Sequence, residues 1–91
     1  MNKIRRKTLA EIQDKISTLR LVIEEELQGA LEECRDEEEE YMENIPENLQ
    51  GSERYEQAEA AVDYLYTAVE NLENAVEALT EAEDSIEEAM V

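Results

Sequence analysis

The sequence predicts an all-α protein: a long antiparallel helical hairpin with coiled-coil-like packing that dimerises into a four-helix bundle. Helix-forming Ala, Glu and Leu dominate the 91 residues, and only Gly29, Pro46 and Gly51 interrupt them. Residues 55–90 repeat one apolar pattern every seven residues, which is typical of a helix that packs along its whole length. The single strong break divides the chain into two segments of similar length, and a short connection between equal helices indicates an antiparallel pair.

The second helix, expected over residues 53–90, carries the clearest pattern. Valine recurs at heptad position a and leucine or isoleucine at position d, which gives a predicted packing stripe of Val62, Leu65, Val69, Leu72, Val76, Leu79 and Ile86. Valine at a with leucine at d also suits a parallel two-stranded coiled coil, the main alternative. Five successive g positions are alanine (Ala61, Ala68, Ala75, Ala82 and Ala89), which allows a second neighbour to pack closely. We therefore expect this helix to contact both the first helix of its own chain and a helix of a second copy, in a homodimer.

The first helix, expected over residues 4–43, has a less regular stripe. Its apolar positions are Leu9, Ile12, Ile16, Leu19, Ile23, Leu27, Ala30, Cys34 and Tyr41. The spacing alternates between three and four residues up to Ile23 and then slips by one residue, so we expect the stripe to rotate around the helix. Gly29 lies within this pattern, and close approach of another backbone is one reason for a glycine there.

Residues 44–52 form the predicted connection. Pro46 can open a turn, and Gly51 can close it in the left-handed conformation. We expect Ile45 and Leu49 to cover the end of the bundle and Ser52 to cap the second helix.

The formal net charge of −18 is extreme for a chain of 91 residues, and it is unevenly distributed. Residues 1–20 carry a net charge of +4, whereas residues 21–91 carry −22. Such a field repels nucleic acid and membranes, and it attracts basic protein surfaces.

The basic start of the chain consists of Lys3, Arg5, Arg6 and Lys7. In an antiparallel hairpin it lies beside the end of the second helix, so we expect it to pair with Glu87 and Glu88. In the same register Lys15 lies near Glu81. Glu83 interrupts the valines of position a and marks either fraying or a partner for a cation. A phosphate-binding arm is the alternative reading of the basic start, although the rest of the chain repels nucleic acid.

Two groups of acidic residues are the candidate partner-binding residues. The first is the unbroken run Asp36, Glu37, Glu38, Glu39 and Glu40, and the second occupies position b of each heptad of the second helix: Glu56, Asp63, Glu70, Glu77 and Asp84. Helical residues that are seven apart stand ~10.5 Å apart along one line. A solvated face is the ordinary meaning of such acids, and a ladder of negative charge that occupies a basic groove is the functional alternative.

The residues needed for most enzymatic chemistry are missing. The chain has no His, a single Cys and no Gly-rich phosphate loop, so we predict that it is not an enzyme and uses no cofactor. Glu33, Glu37 and Glu40 share one face, but carboxylates without turn geometry are weakly specific ligands, and no metal site is predicted. The lone Cys34 cannot form an intramolecular disulfide and indicates a reduced, cytoplasmic protein. No apolar run reaches the length of a membrane span.

The segment from Asn44 to Glu59 contains the core Ile-Pro-Glu-Asn-Leu-Gln-Gly-Ser-Glu-Arg-Tyr. Together with the basic start and the tail rich in Ala, Glu and Leu, it resembles a group of small acidic helical proteins encoded by phages and mobile elements of Gram-positive bacteria. The resemblance extends over most of the chain. It implies a phage or prophage accessory protein, a setting in which acidic inhibitors of host defence are common, and it implies no catalytic residues.

Two functions follow as hypotheses. The first is an acidic binding protein that occupies a basic, nucleic-acid-binding surface of a host protein, as a nucleic-acid mimic or an inhibitor of host defence. The second is a structural coiled-coil or assembly component whose charge confers only solubility. Neither hypothesis involves direct binding to nucleic acid or to a membrane.

Overall fold

The protein is a helical rod of 69 × 16 × 14 Å, described over all 91 residues by a computed structural model. The first arm of the rod is one continuous helix made of α1 (Lys3–Val22), a π-helical turn (Ile23–Leu27) and α2 (Gln28–Glu43). A 3-10 turn (Glu47–Leu49) lies in the connection, and α3 (Glu53–Ala89) forms the second arm. The arms pack side by side and run in opposite directions. The prediction of an all-α helical hairpin is therefore confirmed.

Polar side chains cap the start of both arms. The Asn2 side chain accepts a hydrogen bond of 2.7 Å from the Arg5 backbone N–H, and the Ser52 hydroxyl accepts one of 3.3 Å from the Tyr55 N–H. Each cap satisfies a backbone donor that has no partner within its helix. Ser52 therefore has the capping role that its sequence position indicated.

The π-helical turn keeps one face of the first arm directed at α3. The inward residues are Leu9, Gln13, Ile16, Arg20 and Ile23 before or within the turn, and Gln28, Leu31, Arg35, Glu38, Met42 and Ile45 after it. They are three or four residues apart except for one step of five, from Ile23 to Gln28. A π-helical turn accommodates one extra residue, so the two halves of the stripe stay aligned. The expected rotation of the stripe around the helix is wrong for this reason.

Six of the nine residues in the predicted stripe of the first arm face outward. Ile12, Leu19, Leu27, Ala30, Cys34 and Tyr41 are exposed, and polar residues take inward positions instead: Gln13, Arg20, Gln28 and Arg35. The polar residues can occupy the seam because each has a partner on α3, as described below. Hydrophobicity alone therefore selected the wrong edge of this helix.

The seam, by which we mean the line of contact between the arms, is narrow and only partly shielded from water. Val62 and Val69 are buried, as are Ala58 and Ile45, and these four are the only buried residues of the chain. Leu49 is 45% exposed, so of the two residues expected to cover the end of the bundle only Ile45 is buried. The other predicted packing residues of the second arm are half-buried: Leu65, Leu72, Val76, Leu79 and Ile86. Two helices in contact can cover only one strip of each other, so most apolar side chains keep some exposure.

Neither glycine has the role expected for it. No residue of the chain has a positive φ, so Gly51 does not close the connection in the left-handed conformation. Pro46 instead starts the 3-10 turn, and its carbonyl accepts a hydrogen bond of 2.8 Å from the Leu49 N–H. A Cβ atom added at Gly29 would meet nothing within 4 Å, so no backbone approaches it closely.

The basic start extends beyond the second arm instead of pairing with it. Gln13 reaches Glu87, so the end of α3 lies beside Gln13. The first arm has 41 residues and α3 has 37, and the register leaves the longer arm projecting at its N-terminal end. None of Lys3, Arg5, Arg6, Lys7 or Lys15 forms an ion pair. The predicted pairs with Glu87, Glu88 and Glu81 are therefore wrong.

Replacing Gly29 with alanine should stabilise the protein. The position is helical, exposed and free of neighbours, so the alanine lowers the conformational entropy lost on folding without a clash, a gain of about 1 kcal/mol. Urea unfolding monitored by circular dichroism measures this free energy. The exposed neighbour Ala30 is the matched control, since Ala30→Gly should destabilise by a similar amount. A loss of stability in Gly29→Ala would contradict the open environment of this residue.

Candidate functional site

The two sides of the hairpin differ in how the arms contact each other. On one side the contacts are polar: Gln13 Nε2 donates to a Glu87 carboxylate oxygen at 2.9 Å, and Gln28 Nε2 to Glu73 at 3.4 Å. On the same side the Tyr66 hydroxyl donates to Glu39 at 2.9 Å. These partners on α3 occupy heptad position e.

The acids of α3 lie on this polar side. With Val62 at position a, every acidic residue of α3 except Glu83 occupies positions e, b or f, which are adjacent around a helix. We call this surface the acidic side; on α3 it consists of Glu53, Glu56, Glu59, Asp63, Glu70, Glu73, Glu77, Glu81, Asp84, Glu87 and Glu88. From α2 it is continued by Glu32, Glu33, Asp36, Glu39 and Glu40.

On the first arm we assign position a to the inward residues Gln13, Arg20, Gln28, Arg35 and Met42, so the residue before each of them takes position g. The opposite side of the hairpin carries the g positions of both arms and is almost uncharged. We call it the apolar side; it consists of Ile12, Leu19, Leu27, Cys34 and Tyr41 on the first arm and Ala61, Ala68, Ala75 and Ala82 on α3. The g residues of antiparallel helices lie next to each other. A contact at the loop end shows this directly, because Arg54, at position g of α3, lies over the Tyr41 ring, 5.1 Å from its centroid, and its Nε donates to the Tyr41 hydroxyl.

Very little of the negative charge is neutralised within the chain. Only three of the 26 carboxylates form ion pairs, namely those of Glu24, Asp36 and Glu83. Of the two cations after residue 20, Arg35 pairs with Asp36 at 3.0 Å and lies over the Tyr66 ring, and Arg54 contacts Tyr41 and no acid. The acidic side is therefore available to cations supplied by another molecule.

Glu83 is the one acid of α3 that lies outside the acidic side, because it faces the first arm and pairs with a cation there. The Arg20 guanidinium donates to its carboxylate at 2.7 Å and also pairs with Glu24 at 3.2 Å. The side chains of Arg20 and Glu83 are 23% and 13% exposed, so the pair is largely shielded from water. The hydrogen bond from Arg20 lowers the pKa of Glu83. The sequence left two interpretations of Glu83, a frayed contact or a partner for a cation. The structure supports the second, and the cation is Arg20 and not a residue of the basic start.

The predicted partner-binding residues differ in exposure. The five position-b acids of α3, which we call the ladder (Glu56, Asp63, Glu70, Glu77 and Asp84), are exposed. Asp36, Glu37 and Glu40 are exposed as well. Glu38 and Glu39 are half-buried against the second arm, and the carboxylate of Glu39 already accepts a hydrogen bond from Tyr66, which raises the pKa of that phenol. The contact between Glu39 and Tyr66 also shows that the acidic run of α2 lies beside the first half of the ladder.

The sequence reading missed the polar residues that join the arms. Gln13 and Arg20 are seven positions apart, as are Gln28 and Arg35, and the step from Arg20 to Gln28 is eight positions. This periodicity matches that of the apolar stripe, including the extra residue. This spacing of the polar residues, together with Glu83 at position a, is the sequence feature that predicts polar contacts between the arms.

The surface has no enclosed site. The only concavity is a shallow, open depression on α1 lined by Asp14, Lys15, Thr18 and Leu19. No cluster of three or more His, Cys, Asp or Glu side chains is arranged to hold a metal ion. None of the helices combines the length and apolar character required to cross a membrane.

No protein-family model, curated protein or solved structure matches the chain.

Replacing Arg20 with methionine should destabilise the hairpin in a pH-dependent way. Because the folded pKa of Glu83 is below its ordinary value of 4.5, the stabilisation from the pair is present above that value and is lost as the pH falls through the folded pKa. We expect the Tm of Arg20→Met to be several degrees lower than that of the natural protein at about pH 7, and the difference to be much smaller in acid, below the folded pKa of Glu83.

The control for this experiment is Glu24→Gln, which removes the more exposed partner of Arg20. Its Tm should change little at either pH, because exposed pairs contribute little. A Tm difference for Arg20→Met that persists unchanged in acid would show that Arg20 acts through packing and not through Glu83.

Proposed function

We propose that this protein is a non-enzymatic binding protein whose acidic side occupies a basic, nucleic-acid-binding surface of a host protein. The observation that supports this proposal is the segregation of unpaired carboxylates. All acids of α3 except Glu83 lie on one side of the rod, five acids of α2 continue that side, and the chain supplies almost no cations to neutralise them. Carboxylates held in this way form charge-assisted hydrogen bonds with Lys and Arg of a partner.

The density of charge is consistent with mimicry of a nucleic acid. A net charge of −18 along 69 Å is about one negative charge per 4 Å, comparable to the ~3.4 Å between phosphates along one DNA strand. The ladder adds order to this charge, because its five carboxylates recur every seven residues along α3. The negative potential along this rod therefore resembles that of a nucleic-acid backbone, and a basic groove that binds such a backbone is complementary to both.

The biological setting is part of the same proposal. A small acidic inhibitor encoded by a phage or mobile element, acting in the cytoplasm on a host defence protein, fits both the charge of the rod and the resemblance of its sequence. Direct binding to nucleic acid or to a membrane surface does not fit, because the acidic side repels phosphate.

A structural or assembly role is the second candidate. The observation that favours it is the apolar side, where large side chains of the first arm remain exposed beside the half-buried alanines of α3. In that function the apolar side docks the rod within a larger particle, and the acids keep it soluble. Salt dependence separates the two candidates, because apolar docking survives high salt whereas attraction between exposed charges is screened.

The first candidate predicts capture of a basic protein from a bacterial lysate that depends on the ladder. We expect mass spectrometry to identify a partner retained by the natural protein at low salt and released at about 1 M salt, where the screening length is ~3 Å. The test variant is Asp63→Asn/Glu70→Gln/Glu77→Gln, which should bind the partner about tenfold more weakly or worse, since each lost pair contributes up to ~1 kcal/mol.

The matched control is Gln57→Lys/Asn71→Lys/Ser85→Lys. It gives the same net charge as the test variant, but the changes lie at exposed positions of α3 away from the acidic side. If both variants lose the partner equally, only the total charge matters and the ladder is not the binding site. Capture that persists at about 1 M salt would favour the structural role instead.

A further inference from the structure

We propose that the apolar side binds the apolar side of a second copy of this chain, with the two rods antiparallel, so that their four arms form one bundle. This inference concerns the side of the hairpin that faces away from the acidic side. It does not depend on what the acidic side binds.

The first observation behind it is the amount of surface that the hairpin leaves uncovered. The chain exposes 6681 Å², whereas a compact monomer of 10.5 kDa exposes about 5,400 Å². A stable protein interface covers ~800 Å² of each partner. The excess exposed by one hairpin is therefore large enough for such an interface.

The second observation is where the uncovered apolar groups lie. Leu19 is 59% exposed and Leu27 is 47% exposed, and both belong to the apolar side. Tyr64, at the edge of the same side, is 78% exposed. Because every acid of α3 lies elsewhere, two copies can bring these groups together without burying a carboxylate of α3. A contact through the acidic sides would instead oppose two ladders of like charge.

The third observation is charge complementarity between the ends of the rod, which selects the orientation. The basic start projects from one end and forms no ion pair, and the loop end carries unpaired acids that include Glu37, Glu40, Glu43 and Glu47. Antiparallel rods place the basic start of each copy beside the acidic loop end of the other. Parallel rods would place like charges together at both ends, which is unfavourable.

The dimer has a consequence for the proposed function, and this consequence rests on that function. Two rods side by side carry about one negative charge per 2 Å of length, close to the ~1.7 Å of duplex DNA. Both acidic sides remain on the outside of the bundle. A dimer would therefore match grooves that bind a duplex, whereas a single rod matches a single strand.

Sedimentation equilibrium tests the interface. At micromolar concentration we expect the natural protein to have twice the 10.5 kDa mass of the chain. Leu19→Glu/Leu27→Glu places charges in the apolar side and should raise the dimer Kd by about 100-fold or more, which gives a monomer. Because both side chains are largely exposed in the hairpin, circular dichroism should show that the variant remains helical.

The matched control is Leu21→Glu, which alters an exposed leucine of the same helix that is 42% exposed and belongs to the other side of the hairpin. It should remain a dimer. A natural protein with the mass of one chain would overturn the proposal, and the apolar side would then belong to a different partner. A dimer that survives Leu19→Glu/Leu27→Glu would also overturn it.

Resonance energy transfer tests the orientation. In a Cys34→Ser background, a donor is attached at Ile4→Cys of one chain and an acceptor at Gln50→Cys of another, both exposed sites. Antiparallel rods bring the two dyes together and give efficient transfer, whereas parallel rods hold them apart by most of the 69 Å length. Efficient transfer between dyes that are both at position 50 would overturn the antiparallel arrangement.

Discussion

The register of the two arms depends on the contact of Arg20 with Glu83. An inward arginine and an inward carboxylate, both poorly hydrated, are each costly without the other, so alternative registers that separate them are disfavoured. Gln13 reinforces the same register by donating to the Glu83 backbone carbonyl at 3.1 Å. The π-helical turn then carries the register into α2, because it realigns the inward face after one extra residue.

The register in turn decides how charge is distributed along the rod. It leaves the basic start beyond the end of α3, where it cannot neutralise the acids of that helix. It also places the acidic run of α2 beside the first half of the ladder, so the loop end collects negative charge from both arms. The rod is consequently strongly dipolar as well as acidic. This polarity is the feature that sets the antiparallel orientation in the proposed dimer.

Polar and apolar contacts are divided between the two sides of the hairpin. Glutamine, tyrosine and carboxylate groups join the arms on one side, where water can reach them, and the other side carries half-buried alanines of α3 and exposed apolar side chains of the first arm. This division explains how a hairpin with four buried residues can hold a defined register. It also makes the two proposals compatible, because a dimer that covers the apolar side leaves both acidic sides accessible to a basic partner.

The amino-acid sequence by itself determined the helical hairpin, the position of the connection, the cap at Ser52 and the heptads of α3, because these follow from local propensity and periodicity. It also identified the ladder, since regular spacing on a helix defines a face. Only the tertiary structure decided which edge of the first arm is inward, because Gln13, Arg20, Gln28 and Arg35 are stabilised by partners distant in sequence. For the same reason it decided that Glu39 and Glu83 are engaged within the chain while the ladder and the basic start are not.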